Sequence, residues 1–215
     1  MRPMRTAPLD APDFLTLAAN RLRPEPPALG DALANPRGDH TLDNIPLVQP
    51  LSPKDAAVLV PVVMREEPTL LFTERAASLR QHSGQIAFPG GRVDPTDDSI
   101  LAAAYREAQE EIGLDSRFIS PLGYLDPYLS TTNYLVIPVV ARVSPSYTLA
   151  LNPDEVADTF EVPVSFLMDP ANHQLHAREW KGAVRRYYAM PYEGRYIWGV
   201  TAGILRNLYE RLYTP

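Results

Sequence analysis

Short apolar blocks recur along the chain, and in a few places they give way to helical spacing. Residues 55–63, DAAVLVPVV, are an almost continuous apolar run and predict a buried strand. Arg65-Glu66-Glu67-Pro68 reads as a turn and Thr69 to Thr73 as the returning strand. A short strand follows over Gln85 to Phe88, then strands over Phe118 to Leu125 and Leu135 to Val143, joined by a polar loop from Asp126 to Asn133. Pro138 cannot donate to a ladder, which predicts an edge or bulged position for its strand. Asn152 to Val156 reads as a turn into an acidic segment, Val162 to Met168 as a packed stretch ended by Asp169-Pro170, and Gln174 to Trp180 with Val184 to Met190 as two strands about Lys181-Gly182. Helical spacing is found from about Pro12 to Arg23, with Phe14, Leu17, Ala18 and Leu22 on one side, from Ser99 to Ile112, and from Thr201 to Leu212, with Ile204, Leu205, Leu208 and Leu212 inward.

Hairpins mixed with helix crossovers predict a mixed β-sheet between helices, an α/β/α sandwich. Residues 1–54 are rich in proline and read as an arm with one short helix, docked through Phe14 and Leu17 and with a disordered tail as an alternative for residues 1–8; residues 55–215 read as the domain. Across the 215 residues, 20 basic and 26 acidic side chains leave a net charge of −6, which argues against general nucleic-acid binding. There is no Cys, so disulfides, thiolate metal sites and Cys nucleophiles are excluded together. No apolar run has the length of a membrane span and the N-terminus lacks a signal-peptide core, so a cytoplasmic protein is expected, with a homodimer left open.

The chemistry concentrates between Leu70 and Leu114. Asp97 or Asp98 is placed to cap the helix that begins at Ser99, and Gly113 to end it. Leu101, Ala104, Tyr105, Ala108 and Ile112 form its apolar face; Glu107, Glu110 and Glu111 fall on an adjoining stripe, from which Arg106 is expected to point away. Three like charges on one stripe repel, and they make sense around a hard divalent cation that prefers oxygen ligands, Mg²⁺ or Mn²⁺; a solvated acidic face is the alternative. Gly90-Gly91 permits either a tight loop or a close approach by a ligand or by that helix.

The pattern Gly91, six residues, Asp98, seven residues, then Arg106-Glu107-Ala108-Gln109-Glu110-Glu111-Ile112-Gly113-Leu114 resembles the Nudix box, G-x5-E-x7-R-E-U-x-E-E-x-G-U with U aliphatic. It departs in having Asp for the first Glu, one extra residue after the glycine, and the small Ala108 at U. Upstream, Leu71-Phe72-Thr73-x-Arg75-Ala76-x3-Arg80-x3-Gly84-x3-Phe88-Pro89-Gly90-Gly91 is similar to the signature of the coenzyme A pyrophosphatase branch, with Phe72 where Leu is usual, and residues 196–204 also look like that branch. The resemblance spans roughly residues 55–212. It implies a Nudix-like fold and metal-dependent hydrolysis of the coenzyme A diphosphate to 3′,5′-ADP and 4′-phosphopantetheine. The metal ligands would be Glu107, Glu110 and Glu111, with Arg106 pairing an acid and Asp98 or Glu155 as an additional acid. The proton acceptor is left open between Glu110 and Glu155.

Arg75 and Arg80, taken singly, could be ordinary surface arginines; their place before the glycine pair and their match to the family pattern make them candidates for substrate phosphates, either the diphosphate or the 3′-phosphate, because guanidinium binds phosphate bidentately. Gly90 and Gly91 are placed with them at the substrate, Ser130 to Asn133 at the pocket rim, and His82 as a hydrogen-bonding rather than a catalytic residue. Tyr187, Tyr188, Tyr192 and Tyr196 read as an aromatic wall that is mostly core. The rival functions are a Nudix pyrophosphatase for ADP-ribose, NADH, dinucleotides or nucleoside triphosphates, and a non-catalytic nucleotide sensor on the same fold.

Overall fold

The computed structural model describes residues 11–27, 33, 36–43, 52–79, 82–180 and 182–214. The long apolar run becomes β1 (Lys54–Val63), and β2 (Thr69–Arg75) returns antiparallel beside it. Then come β3 (Ile86–Ala87), β4 (Gly90–Arg92), helix α2 (Ile100–Ile112), β5 (Ile119–Tyr124), β6 (Tyr128–Leu129), β7 (Tyr134–Val143) and β8 (Val156–Pro163). Helix α1 (Ala11–Arg21) precedes them; the short α3 (Val164–Leu167), strands β9 (Gln174–Trp180), β10 (Ala183–Tyr192) and β11 (Arg195–Trp198), and helix α4 (Val200–Tyr213) follow.

Eight strands form one sheet with the path β3-β2-β1-β7-β5, to which β4 joins at β1, β6 at β7 and β8 at β2. The β1–β7 pair is parallel and its neighbours are antiparallel, so the sheet is mixed. Strands β9 to β11 form a separate antiparallel sheet in the order β11-β10-β9. The alternation of side chains explains why β1 is apolar throughout. Ala56, Val60 and Val62 enter one core with Phe14 and Ala18 of α1 and Ile204, Leu205, Leu208 and Leu212 of α4. Ala57, Leu59 and Val63 enter the other with Ala103, Ala104, Ala108 and Ile112 of α2. The sheet is therefore covered by helices on both faces. No helix among the described residues is long and apolar enough to cross a membrane.

Several expectations need correction. Pro138 lies in β7, a central strand between β1 and β5, not at an edge. Its carbonyl accepts the Leu125 N–H at 3.1 Å on the side where β5 has just ended and β6 has not begun, so the missing N–H forgoes only the reciprocal bond to Leu125, at a break between the two neighbouring strands. Gly90-Gly91 is not a loop but part of β4, paired with β1 at Val58 and Ala57. The segment after Glu155, read as an acidic stretch, is the full strand β8 along β2, and β11 was not anticipated. The polar loop 126–133 contains β6. Tyr196 is 38% exposed and belongs to no core. Residues 1–8 and Arg80 lie outside the described residues.

Candidate active site

The N-terminus of α2 is capped by Ser99, whose Oγ accepts the Ala102 N–H at 3.1 Å; neither Asp97 nor Asp98 is the cap. Asp97 is occupied instead by Arg106. The guanidinium donates through Nε to Oδ1 and through Nη2 to Oδ2, both at 2.9 Å. These bonds hold the Asp97 carboxyl below the ordinary range. Arg106 also donates from Nη1 to Glu107 Oε1 at 2.8 Å and to Glu110 Oε2 at 3.0 Å. Its expected direction away from the acidic stripe is thus overturned: Glu110 is four residues on, in the same row of the helix, and the long side chain reaches both. Arg106 ties the loop before α2 to the helix and crosslinks two of its acids. Asp98 is exposed and precedes the cap.

The three glutamates of the stripe differ. Glu110 is exposed, Glu107 is half-buried, and Glu111 is only 3% exposed and sits in the core-facing row. Glu111 Oε2 accepts the Gly90 N–H at 3.1 Å, and Arg75 Nη1 stands 3.9 Å from its Oε1. Burial pushes the Glu111 carboxyl up to about 7; the charges of Glu107 and Glu155 add to this, while the Gly90 N–H and Arg75 oppose it. Burial likewise raises Glu107, against the pull of Arg106 and with Glu110 and Glu155 adding to it. Glu155, in the turn before β8, therefore stands in the field of both buried acids; Asn152 Nδ2 donates to it at 3.1 Å.

The glycine pair is where β4 meets this helix. A Cβ on Gly91 would lie 2.6 Å from the Glu107 carboxylate, and one on Gly90 would lie 2.4 Å from the Ala57 carbonyl, at a φ of 156°. Only glycine lets β4 pass between β1 and the acids. Arg75, at the end of β2, has a buried Nε that makes no hydrogen bond among the described residues.

A cleft of about 510 Å³ opens beside the pair. Arg75, His82, Gly90 and Gly91 line one part, Ser130, Thr131 and Thr132 the rim, and Arg178, Arg185, Tyr187 and Trp198 the part supplied by β9 to β11. The glutamates stand behind the glycines, off the cavity lining. His82 is exposed and its Nδ1 bonds Gln85 Oε1 at 2.8 Å. The residues from β9 to β11 were missed as site residues; the period of two over residues 174–187 was the available signal, since it puts His176, Arg178, Arg185 and Tyr187 on one face once the strands are in register.

Among the described residues no three acidic or imidazole side chains are gathered tightly enough to hold an ion as they stand, and Arg106 engages Glu107 and Glu110. The donor set nevertheless fits a hard divalent cation. It consists of carboxylate oxygens, and the two most buried, Glu107 and Glu111, are raised by burial first and then by neighbouring carboxylates, Glu110 and Glu155 for Glu107 and Glu107 and Glu155 for Glu111, which a bound cation would offset.

A family model described as the NUDIX domain matches residues 53–182. A Cronobacter sakazakii protein described as "Uncharacterized Nudix hydrolase NudL" is 42% identical over 176 residues, covering 79% of this chain and 92% of that one. A Photorhabdus laumondii protein of the same description is 42% identical over 159 residues, covering 74% of this chain and 85% of that one. Among solved structures, the C. elegans Ap4A hydrolase binary complex is 21% identical and covers 51% of this chain and 80% of that one, with a TM-score of 0.44.

Proposed function

The chain belongs to the Nudix family, and from that premise we propose that it hydrolyses the diphosphate bond of coenzyme A or its derivatives, releasing 3′,5′-ADP and 4′-phosphopantetheine. The observation that carries this reading is the upstream signature: its Arg75, Phe88, Gly90 and Gly91 line one cleft next to Glu107 and Glu111. In this reading Glu107, Glu110 and Glu111 hold Mg²⁺ or Mn²⁺, with Glu155 as an additional acid. A divalent cation supplies charge neutralisation for phosphate oxygens and acidifies water.

The protein's own groups have distinct tasks. Arg75, which lines the cleft, binds the diphosphate through its guanidinium. Gly90 and Gly91 keep the backbone thin between substrate and acids. Arg106 positions Glu107 and Glu110 by donating to both carboxylates. Glu155 is better placed than Glu110 to accept the proton of the attacking water, because the Glu110 carboxylate already accepts from the Arg106 fork.

The test is a substrate panel with Mg²⁺ or Mn²⁺: coenzyme A, ADP-ribose, NADH, dinucleotide polyphosphates and nucleoside triphosphates, with products separated by chromatography. Coenzyme A should be cleaved with the highest kcat/KM. Faster cleavage of ADP-ribose or NADH would overturn the coenzyme A reading, and no cleavage of any diphosphate would favour a sensor.

A further inference from the structure

Strands β9 and β10 pair antiparallel with Arg185 directly opposite Arg178 and Tyr187 opposite His176, while β11 sets Trp198 opposite Ala189. Side chains alternate along each strand, so Arg178, Arg185, Tyr187 and Trp198 share a face. All four line the cleft that also contains Gly90 and Gly91. Like charges directly opposite on an antiparallel pair are destabilising, so the folded protein holds two guanidiniums together at a cost. Arg178 lies over the Trp198 ring, 4.7 Å from its centroid, and 5.8 Å from that of Tyr187. Asp39 is a carboxylate on that side, which accepts the Tyr128 hydroxyl at 2.7 Å; burial raises it although Tyr128 and Arg178 pull it down, and Asp43, paired with Arg186, stands near it. Arg185 forms no ion pair among the described residues. The cleft thus carries a second cationic centre, flanked by aromatic rings and distinct from Arg75.

We propose that Arg178 and Arg185 bind a phosphate monoester of the substrate, separate from the diphosphate that is cleaved, with Tyr187 and Trp198 beside it as the surface for the nucleoside base. Two planar forks side by side match the oxygens of a phosphate monoester, and aromatic faces accept a stacked base. The proposal rests on the coenzyme A reading, in which the monoester is the 3′-phosphate, and it moves recognition of that group from the loop after β2 to the β9–β10 pair.

Dephospho-coenzyme A differs from coenzyme A only in this group. Arg185→Gln and Arg178→Gln should each lower the ratio of kcat/KM for coenzyme A to that for dephospho-coenzyme A by about tenfold or more, chiefly through KM. Arg185→Lys should recover part of the ratio. Equal losses on both substrates would overturn the proposal. Because removing one charge relieves the cross-strand repulsion, ligand-free Arg185→Gln should melt no lower than wild type; a clearly lower Tm would assign Arg185 to the fold instead. Calorimetric binding of adenosine 3′,5′-bisphosphate and of AMP in EDTA separates this inference from the enzymatic reading. Wild type should prefer the bisphosphate and Arg185→Gln should lose that preference, whether or not coenzyme A is cleaved. If wild type cleaves no coenzyme A yet keeps an Arg185-dependent preference, the enzymatic reading fails and the subsite stands. If wild type shows no preference, the subsite fails.

Discussion

Replacing Glu111 with Gln should move stability and activity in opposite directions. Glu111 is 3% exposed, accepts one N–H from Gly90 at 3.1 Å, and has its cationic neighbour Arg75 no nearer than 3.9 Å. Its carboxyl is pushed from 4.5 up to about 7, chiefly by burial. At about 1.36 kcal/mol per pKa unit, a rise of roughly 2.5 units means that the ionised form costs the metal-free fold roughly 3 kcal/mol. For an acid whose folded pKa is raised, that cost is absent below the unfolded value, grows as pH rises towards 7, and is complete above it. Glutamine keeps an acceptor for the Gly90 N–H and carries no charge. In EDTA at about pH 8, Glu111→Gln should therefore be more stable than wild type by up to roughly 3 kcal/mol, or several degrees in Tm, and the gap should close near about pH 4.5. With Mg²⁺ or Mn²⁺ present the order should reverse: wild type gains stability by binding the ion, the variant gains little, and turnover falls at least about 10²-fold. Urea titrations across pH, with and without metal, measure all of this. A variant less stable than wild type in EDTA at alkaline pH would refute the account of a desolvated carboxylate, and wild-type turnover would remove Glu111 from the chemistry.

Gly91→Ala should cost at least about tenfold in kcat/KM, because its Cβ would lie 2.6 Å from the Glu107 carboxylate and displace it; unchanged kinetics would show that the acid has room to move. Phe14→Ala, which removes a fully buried ring of α1 from the core shared with α4, should cost about 3–5 kcal/mol in denaturant unfolding; a loss below about 1 kcal/mol would mean the arm is not part of the folding unit. Burial raises Glu161, but bonds from Arg65, Thr69 and Tyr147 outweigh it and hold the carboxyl down at about 2. Its stabilisation should be full above about pH 4.3 and lost as pH falls towards 2. Glu161→Gln should cost about 1–2 kcal/mol near neutrality, after discounting for the half-exposed Arg65, and nothing at the acid end; equal losses at both ends would rule out the ionic contribution.

Local spacing determined much of this protein. The period of 3.6 from Ser99 to Ile112, with Gly113 in the left-handed region at φ 66°, made α2 and its acidic row legible, because caps and i, i+4 neighbours are properties of one short segment. The same holds for β1, whose nearly continuous apolar run already implied a buried strand. Even the Arg106–Glu110 contact was available from spacing alone; the reading that turned Arg106 outward weighed the stripe and not the reach of its neighbour. Other features were decided by partners distant in sequence. Asp97, which the sequence offered as a cap for α2, is held instead by Arg106 nine residues on, and Ser99 caps the helix. Strand β8 buries few side chains and reads as an acidic segment, yet β2 supplies it with a full ladder. Pro138 tolerates a central strand because the neighbouring strand ends beside it. Glu111 and the glycine pair, 21 residues apart, meet only when β4 pairs with β1. The opposition of Arg178 to Arg185 depends on register, and a slip of one residue would turn one of them to the other face of the sheet. Register is set by the pairing of whole strands, so no local pattern could have placed those two charges in the same cleft as the diphosphate chemistry.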